Sequence, residues 1–162
     1  IHIYYIKAER AKNARENMRI REVQTTYRYL NVNASERNLS DPEKVSALMC
    51  EIIPDSDVEH FVVFNLNAKN NIMGFHLVSK GTADHAIVHV RDVYKTAILE
   101  GAAKIVVAHN HPSEQLYPSR EDISLTKRLS DAGGIIGIPL LDHVIVNTRT
   151  SEYMSFKEEG HM

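Results

Sequence analysis

From residue 40 onward, apolar runs and polar breaks alternate along the chain in a rhythm that predicts helices and strands in turn. Ser40, followed by Asp41, Pro42 and Glu43, is a helix-start pattern: a capping side chain, proline in the first turn and an acid three residues on. Val45, Leu48, Met49 and Ile52 then recur at helical spacing, and Pro54 bounds the helix. Two β-branched and aromatic runs, residues 60–66 and 72–78, predict strands joined by the turn Asn67-Ala68-Lys69-Asn70-Asn71. Residues 86–89 are a shorter strand candidate. Val93, Ala97 and Ile98 give a helix of about ten residues ending before Gly101. Residues 104–108 (KIVVA) form the continuous apolar run of a strand buried on both faces. After a polar segment, a third helix starts at Ser119 and ends at Gly133-Gly134, where glycine takes the left-handed cap. Residues 140–146 (LLDHVIV) make a last core strand. Upstream, residues 22–30 (EVQTTYRYL) predict a strand, residues 7–21 a polar helix or poorly ordered arm, and residues 31–39 a loop. The order strand, helix, hairpin, strand, helix, strand, helix, strand is that of an α/β domain with a mixed β-sheet flanked by helices.

Composition narrows the class. The chain has 162 residues, 43% hydrophobic and 25% charged, which suits one globular domain and excludes collagen-like, mucin-like and wholly disordered chains. No stretch approaches the ~20 apolar residues of a membrane span, and the first residues lack a signal-peptide pattern. Cys50 is the single cysteine, so no intrachain disulfide and no cysteine-rich zinc site can form, and the expected setting is cytoplasmic. The net charge of −2 argues against a dedicated nucleic-acid binder, although residues 1–30 hold seven Lys/Arg against three Glu. That basic run reads as a solvated face ahead of a phosphate-binding arm.

The chemistry concentrates in His109-Asn110-His111-Pro112 and Ser119-Arg120-Glu121-Asp122, fourteen residues at the mouth of the buried strand. Residues two apart in extended chain project to the same side, so His109 and His111 can offer two imidazoles to one ion. Asp122 falls in the first turn of the next helix, where a carboxylate is favoured and can turn toward the same ion. Two imidazoles and one carboxylate leave a fourth tetrahedral position open, as in a catalytic zinc site, where water is acidified into a nucleophile. Ser119 and Asp122 also read as a capping box, and the two readings are compatible. Asp142-His143 is either a pair supporting the ligands or a satisfied core histidine. His60, His76, His85 and His89 show no ligand spacing. There is no HExxH, P-loop, GxGxxG, PCxxC or GxSxG pattern.

The spacing His109-x-His111, seven residues, Ser119, two residues, Asp122 resembles the JAMM signature of the JAB/MPN metallopeptidases. The surrounding AHNHPS, PSREDISLTKRL and GIPLLDHVIV are similar to the bacterial RadC branch. The resemblance runs from about Ser40 to Gly160, roughly three-quarters of the chain, and divides it into residues 1–38, a basic arm plus strand, and residues 39–162, a RadC-like JAB/MPN domain. It implies the cytidine-deaminase-like three-layer architecture of that fold. It further implies that His109, His111 and Asp122 bind Zn2+ with water completing the tetrahedron, and that Ser119 supports the oxyanion. The family's upstream glutamate base matches Glu59; Glu51, in the first helix, is a poorer match. Set among Phe61, Val62 and Val63, Glu59 is either a base of raised pKa or an exposed acid at a strand end. Val90 stands where a proline commonly follows the histidine, and Glu114 replaces a loop glycine at the substrate entrance. Residues 1–39 lack the glycine-hairpin pattern of the helix-hairpin-helix region of longer RadC proteins, so the DNA-repair label transfers weakly.

The expectation is therefore a zinc-dependent metallopeptidase or isopeptidase-like hydrolase in which metal-activated water attacks an amide carbonyl. The rival is a DNA-repair-associated, nucleic-acid-binding module whose metal site is structural or vestigial. An enzyme acting on a small amide fits the same residues. Expected partners are a peptide or isopeptide substrate, a weak nucleic-acid contact through residues 7–28 (Lys7 to Arg28), and a second copy in a homodimer, with no membrane.

Overall fold

A computed structural model describes residues 22–32, 37–81 and 88–162. Their elements run α1 (Pro42–Ile52), β1 (His60–Leu66), β2 (Ile72–Lys80), α2 (Val90–Glu100), β3 (Lys104–His109), α3 (Arg120–Ile136), β4 (Leu140–Val146) and β5 (Tyr153–Ser155). The strands form one mixed sheet in the order β2-β1-β3-β4-β5. β1 is antiparallel to β2 and β3, β3 is parallel to β4, and β4 is antiparallel to β5. A parallel neighbour requires a crossover, and α3 supplies it between β3 and β4.

Strand periodicity sorts the core into two layers. Phe61, Val63, Ile105 and Val107 pack with Val93, Tyr94 and Ala97 of α2 and with Leu125 and Leu129 of α3. Val62, Phe64, Leu66, Val106, Ala108, Val144 and Val146 pack with Val45, Leu48 and Met49 of α1. The chain is thus an α/β domain of three layers, with its sheet between helices. β1, buried along its whole length, has no polar face because both of its sides meet a helix. Among the described residues no helix is long and apolar enough to cross a membrane.

Several boundaries differ from expectation, each for a local reason. Asp41, not Ser40, caps α1: its side chain accepts from the Glu43 N–H at 3.0 Å, while the Ser40 hydroxyl accepts from Asn70 Nδ2 at 2.8 Å. The Gly133-Gly134 pair does not end α3, which continues to Ile136 and takes its left-handed cap at Gly137, φ +80°. β5 was not expected, since three residues are too few to show a period. The strand expected over residues 22–30 is absent: residues 22–32 are exposed, carry no regular structure and find no sheet neighbour among the described residues, and a lone strand leaves its N–H and C=O groups unpaired. Of the candidate strand at 86–89, Val88 and His89 are not in a strand, His89 preceding α2 as its cap position, and the rest lies outside the described residues. The arm at residues 7–21 also lies outside them.

Candidate metal centre

Sheet periodicity places His109 on the same side as Ile105 and Val107, the side that α3 covers. It is the last residue of β3 and wholly buried, its ring stacked 5.8 Å from that of Phe61. His111, two residues on, is half-buried, and its Nδ1 lies 2.8 Å from the Gln115 carbonyl. A carbonyl only accepts, so Nδ1 carries the hydrogen and the Nε2 of a neutral His111 presents a lone pair. The loop of residues 112–118 then returns the chain to α3. Ser119 caps that helix in a reciprocal capping box: its hydroxyl accepts from the Asp122 N–H at 3.0 Å, and its own N–H donates to Asp122 Oδ2 at 2.8 Å.

These constraints bring three donor groups together. His109 Nε2 and His111 Nε2 are 2.9 Å apart, with Asp122 Oδ1 3.3 Å from the first and Asp122 Oδ2 3.4 Å from the second. One ligand atom from each residue lies within 4.8 Å of the others. A tetrahedral zinc ion with bonds of about 2.0–2.1 Å separates its ligand atoms by about 3.3 Å, close to the spacing of each imidazole from its nearer carboxylate oxygen. The donor set fits a borderline-soft cation: two imidazole nitrogens and a carboxylate, from rigid ends of a strand and a helix.

Charge follows the same lines. Burial alone would raise the Asp122 pKa, but hydrogen bonds with His109, His111 and Ser119 hold the carboxyl far below its usual range. The Asp122 contact raises the pKa of His111 against the opposing effect of burial, and the charge of Glu59 adds to the rise. Metal-free, the site attracts protons for the reason that suits it to a cation: negative charge is held close to two imidazoles.

Behind the triangle, His143 Nε2 lies 2.8 Å from His109 Nδ1, and His143 Nδ1 lies 2.6 Å from Thr126 Oγ1. Burial pushes the His143 pKa well below the usual imidazole value. Asp142 does not join it as a pair over the ligands. Adjacent strand residues point to opposite faces, so the Asp142 carboxylate turns away, accepting from Ser155 Oγ at 2.6 Å and the Lys157 N–H at 3.1 Å. The expected supporting pair is therefore His143 alone, with Thr126, which lies one turn after Asp122 on α3 and was not singled out by sequence.

Asn110, buried between the two histidines, latches the segment that carries Glu59. Its Oδ1 accepts from the His60 N–H at 2.9 Å, and its Nδ2 donates to the Val58 carbonyl at 3.0 Å. Glu59 is exposed at the head of β1, beside Phe61, which pairs in register with His109. Glu51 lies on α1 instead, exposed. Glu114 takes φ +62°, the left-handed region where glycine is at ease, so this side chain stands on strained backbone. It pairs with Arg149, which also holds Asp55 and Asp57, tying the His111 loop to the segment before β1.

The fold and the site together define a three-layer α/β domain with a histidine, histidine, carboxylate centre at the mouth of a central strand. Residues 39–161 match the RadC-like JAB domain family. A UPF0758 protein of Finegoldia magna is 46% identical over 114 residues, covering 70% of this chain and 51% of that protein. One from Rubrobacter xylanophilus is 48% identical over 122 residues, 75% of this chain and 52% of its own length. One from Methanosarcina acetivorans is 40% identical over 129 residues, 80% and 56% respectively. The chain belongs to the RadC-like JAB family, and it spans about half the length of the curated relatives it matches.

Proposed function

We propose that this RadC-like JAB domain is a zinc-dependent hydrolase of amide bonds, of the metallopeptidase or isopeptidase kind. The observation that carries the reading is the meeting of His109 Nε2, His111 Nε2 and the Asp122 carboxylate within 4.8 Å at the end of β3. These three residues would hold the ion, and three protein donors are the number that leaves a catalytic zinc site one open position. Bound there, zinc would act as a Lewis acid that acidifies water and polarises a carbonyl. Glu59, whose charge reaches His111, takes the proton of the attacking water and returns it to the leaving amine. Ser119, exposed at the cap of α3, turns its hydroxyl from Asp122 Oδ2, 2.6 Å away, to the carbonyl oxygen as that atom gains charge. The substrate class is a peptide or isopeptide.

Metal analysis with an amide-hydrolysis assay tests this. The purified chain is expected to hold one equivalent of zinc and His111→Ala none, while Glu59→Gln keeps the zinc and loses at least about a hundredfold in turnover. Zinc retained in full by His111→Ala, or turnover undiminished in Glu59→Gln, would contradict the assigned roles.

A further inference from the structure

Thr126 and His143 lie behind the three donor residues and face no open space, yet their hydrogen bonds decide which way His109 points its lone pair. Each short contact here needs one hydrogen, and a carbonyl oxygen cannot supply it. Thr126 Oγ1 lies 2.7 Å from the Asp122 carbonyl, so the hydroxyl hydrogen goes there. The same oxygen lies 2.6 Å from His143 Nδ1, which therefore brings its own hydrogen. His143 is wholly buried, stacked on Phe156 at 4.5 Å with the Phe61 edge at 5.6 Å. An imidazole sealed in this way stays neutral and has one ring hydrogen, so its Nε2 is bare. His109 Nδ1, 2.8 Å from that bare nitrogen, donates to it. The reverse assignment would put two lone pairs face to face across the Thr126 to Asp122 contact.

We propose that Thr126 and His143 are positioning residues that fix the His109 ring as its Nδ1–H tautomer, committing the Nε2 lone pair to the cation. The relay runs His109 to His143 to Thr126 and ends on the backbone carbonyl of Asp122, the residue whose carboxylate faces the same Nε2 at 3.3 Å. One residue of α3 thus supplies a ligand oxygen and anchors the proton order of its neighbouring ligand. With His111 held by the Gln115 carbonyl, each imidazole in its neutral form turns a bare Nε2 toward the carboxylate. With both rings neutral, the site offers a cation three acceptors and no hydrogen. This proposal rests on the metal-site reading above and names the residues that enforce it.

Ring 15N–1H correlation spectra of the whole chain, metal-free and zinc-loaded, read the tautomer directly. Titration with Zn2+ alone reads its consequence. The relay predicts a hydrogen on His109 Nδ1 and none on His143 Nε2 in both states. Thr126→Ser, which keeps the hydroxyl, binds zinc within about threefold of wild type, whereas Thr126→Val and His143→Leu bind about 10- to 100-fold more weakly. His143→Gln, which restores an acceptor opposite His109 Nδ1, recovers part of the loss. A hydrogen missing from His109 Nδ1, or unchanged zinc affinity in folded Thr126→Val and His143→Leu, overturns the relay. If a variant does not fold, the wild-type spectrum decides alone. Failure of the wild-type chain to take up zinc overturns the proposed function, while the metal-free spectrum still decides the relay.

Discussion

Asp122 shows how much one side chain carries at this site. Its Oδ2 accepts from the N–H and the hydroxyl of Ser119, closing the cap of α3, while its Oδ1 faces His109. Ser119→Ala removes the cap hydrogen bond without removing a ligand. It is expected to cost about 1 kcal/mol in urea unfolding and to leave one zinc equivalent bound. Tyr94 is a second residue whose surroundings make a numerical prediction. Its hydroxyl donates to the Leu129 carbonyl at 2.9 Å, and burial pushes the phenol pKa from 10.0 to about 12. A folded-state pKa raised above the unfolded one means that the neutral form supports the fold. That contribution is complete below pH 10 and disappears as pH rises through about 12. Tyr94→Phe is expected to flatten the loss of stability over this range and to cost about 1 kcal/mol at neutral pH, read from unfolding midpoints against pH. At this scale the two histidines and Asp122 were legible because their spacing is a local matter of strand and helix geometry. Thr126 and Asn110 were not singled out, because their partners lie on other strands or in a segment 52 residues away.

At the scale of elements, α3 makes the sharpest test. Its two adjacent glycines look equivalent in the sequence and are opposite in the structure. A Cβ on Gly133 would sit 2.5 Å from the Tyr94 hydroxyl and 2.7 Å from the Ile138 carbonyl, whereas one on Gly134 meets nothing within 4 Å. Gly133→Ala is therefore expected to destabilise by about 1–3 kcal/mol, and Gly134→Ala to stabilise by about 0.5–1 kcal/mol through helix propensity. Denaturant midpoints of the two variants should move in opposite directions. The same contrast explains why the end of α3 was misplaced: glycine chosen for close packing and glycine chosen for a left-handed cap carry the same letter. Gly101, φ +64°, is a true cap, and its helix was expected to end just before it. The run at 22–30 failed differently. Its β-branched and aromatic residues have strand propensity, but Tyr29 is 91% exposed and no neighbouring strand lies beside the run among the described residues to make propensity into structure.

For the whole molecule, the alternation of side chains across the sheet places the site. Odd-numbered positions of β3 face α2 and α3, and even-numbered positions face α1, so continuing that alternation by one step delivers His109 to α3 and to Asp122. The mixed sheet and its buried centre were legible from the continuous apolar run at β3 and the largely apolar β1 and β4, since only strands covered on both sides can be apolar throughout, while the three layers were implied by the family resemblance. The strand order and the short β5 were not, because pairing partners far apart in the chain leave no local mark. The central claim, that this scaffold gathers His109, His111 and Asp122 around one cation, is tested most directly by anomalous diffraction at the zinc edge from crystals of the zinc-loaded chain. A single peak about 2.0–2.1 Å from both Nε2 atoms and from one Asp122 carboxylate oxygen is the predicted result. A peak on other side chains, or none at this triangle in zinc-saturated crystals, would contradict it.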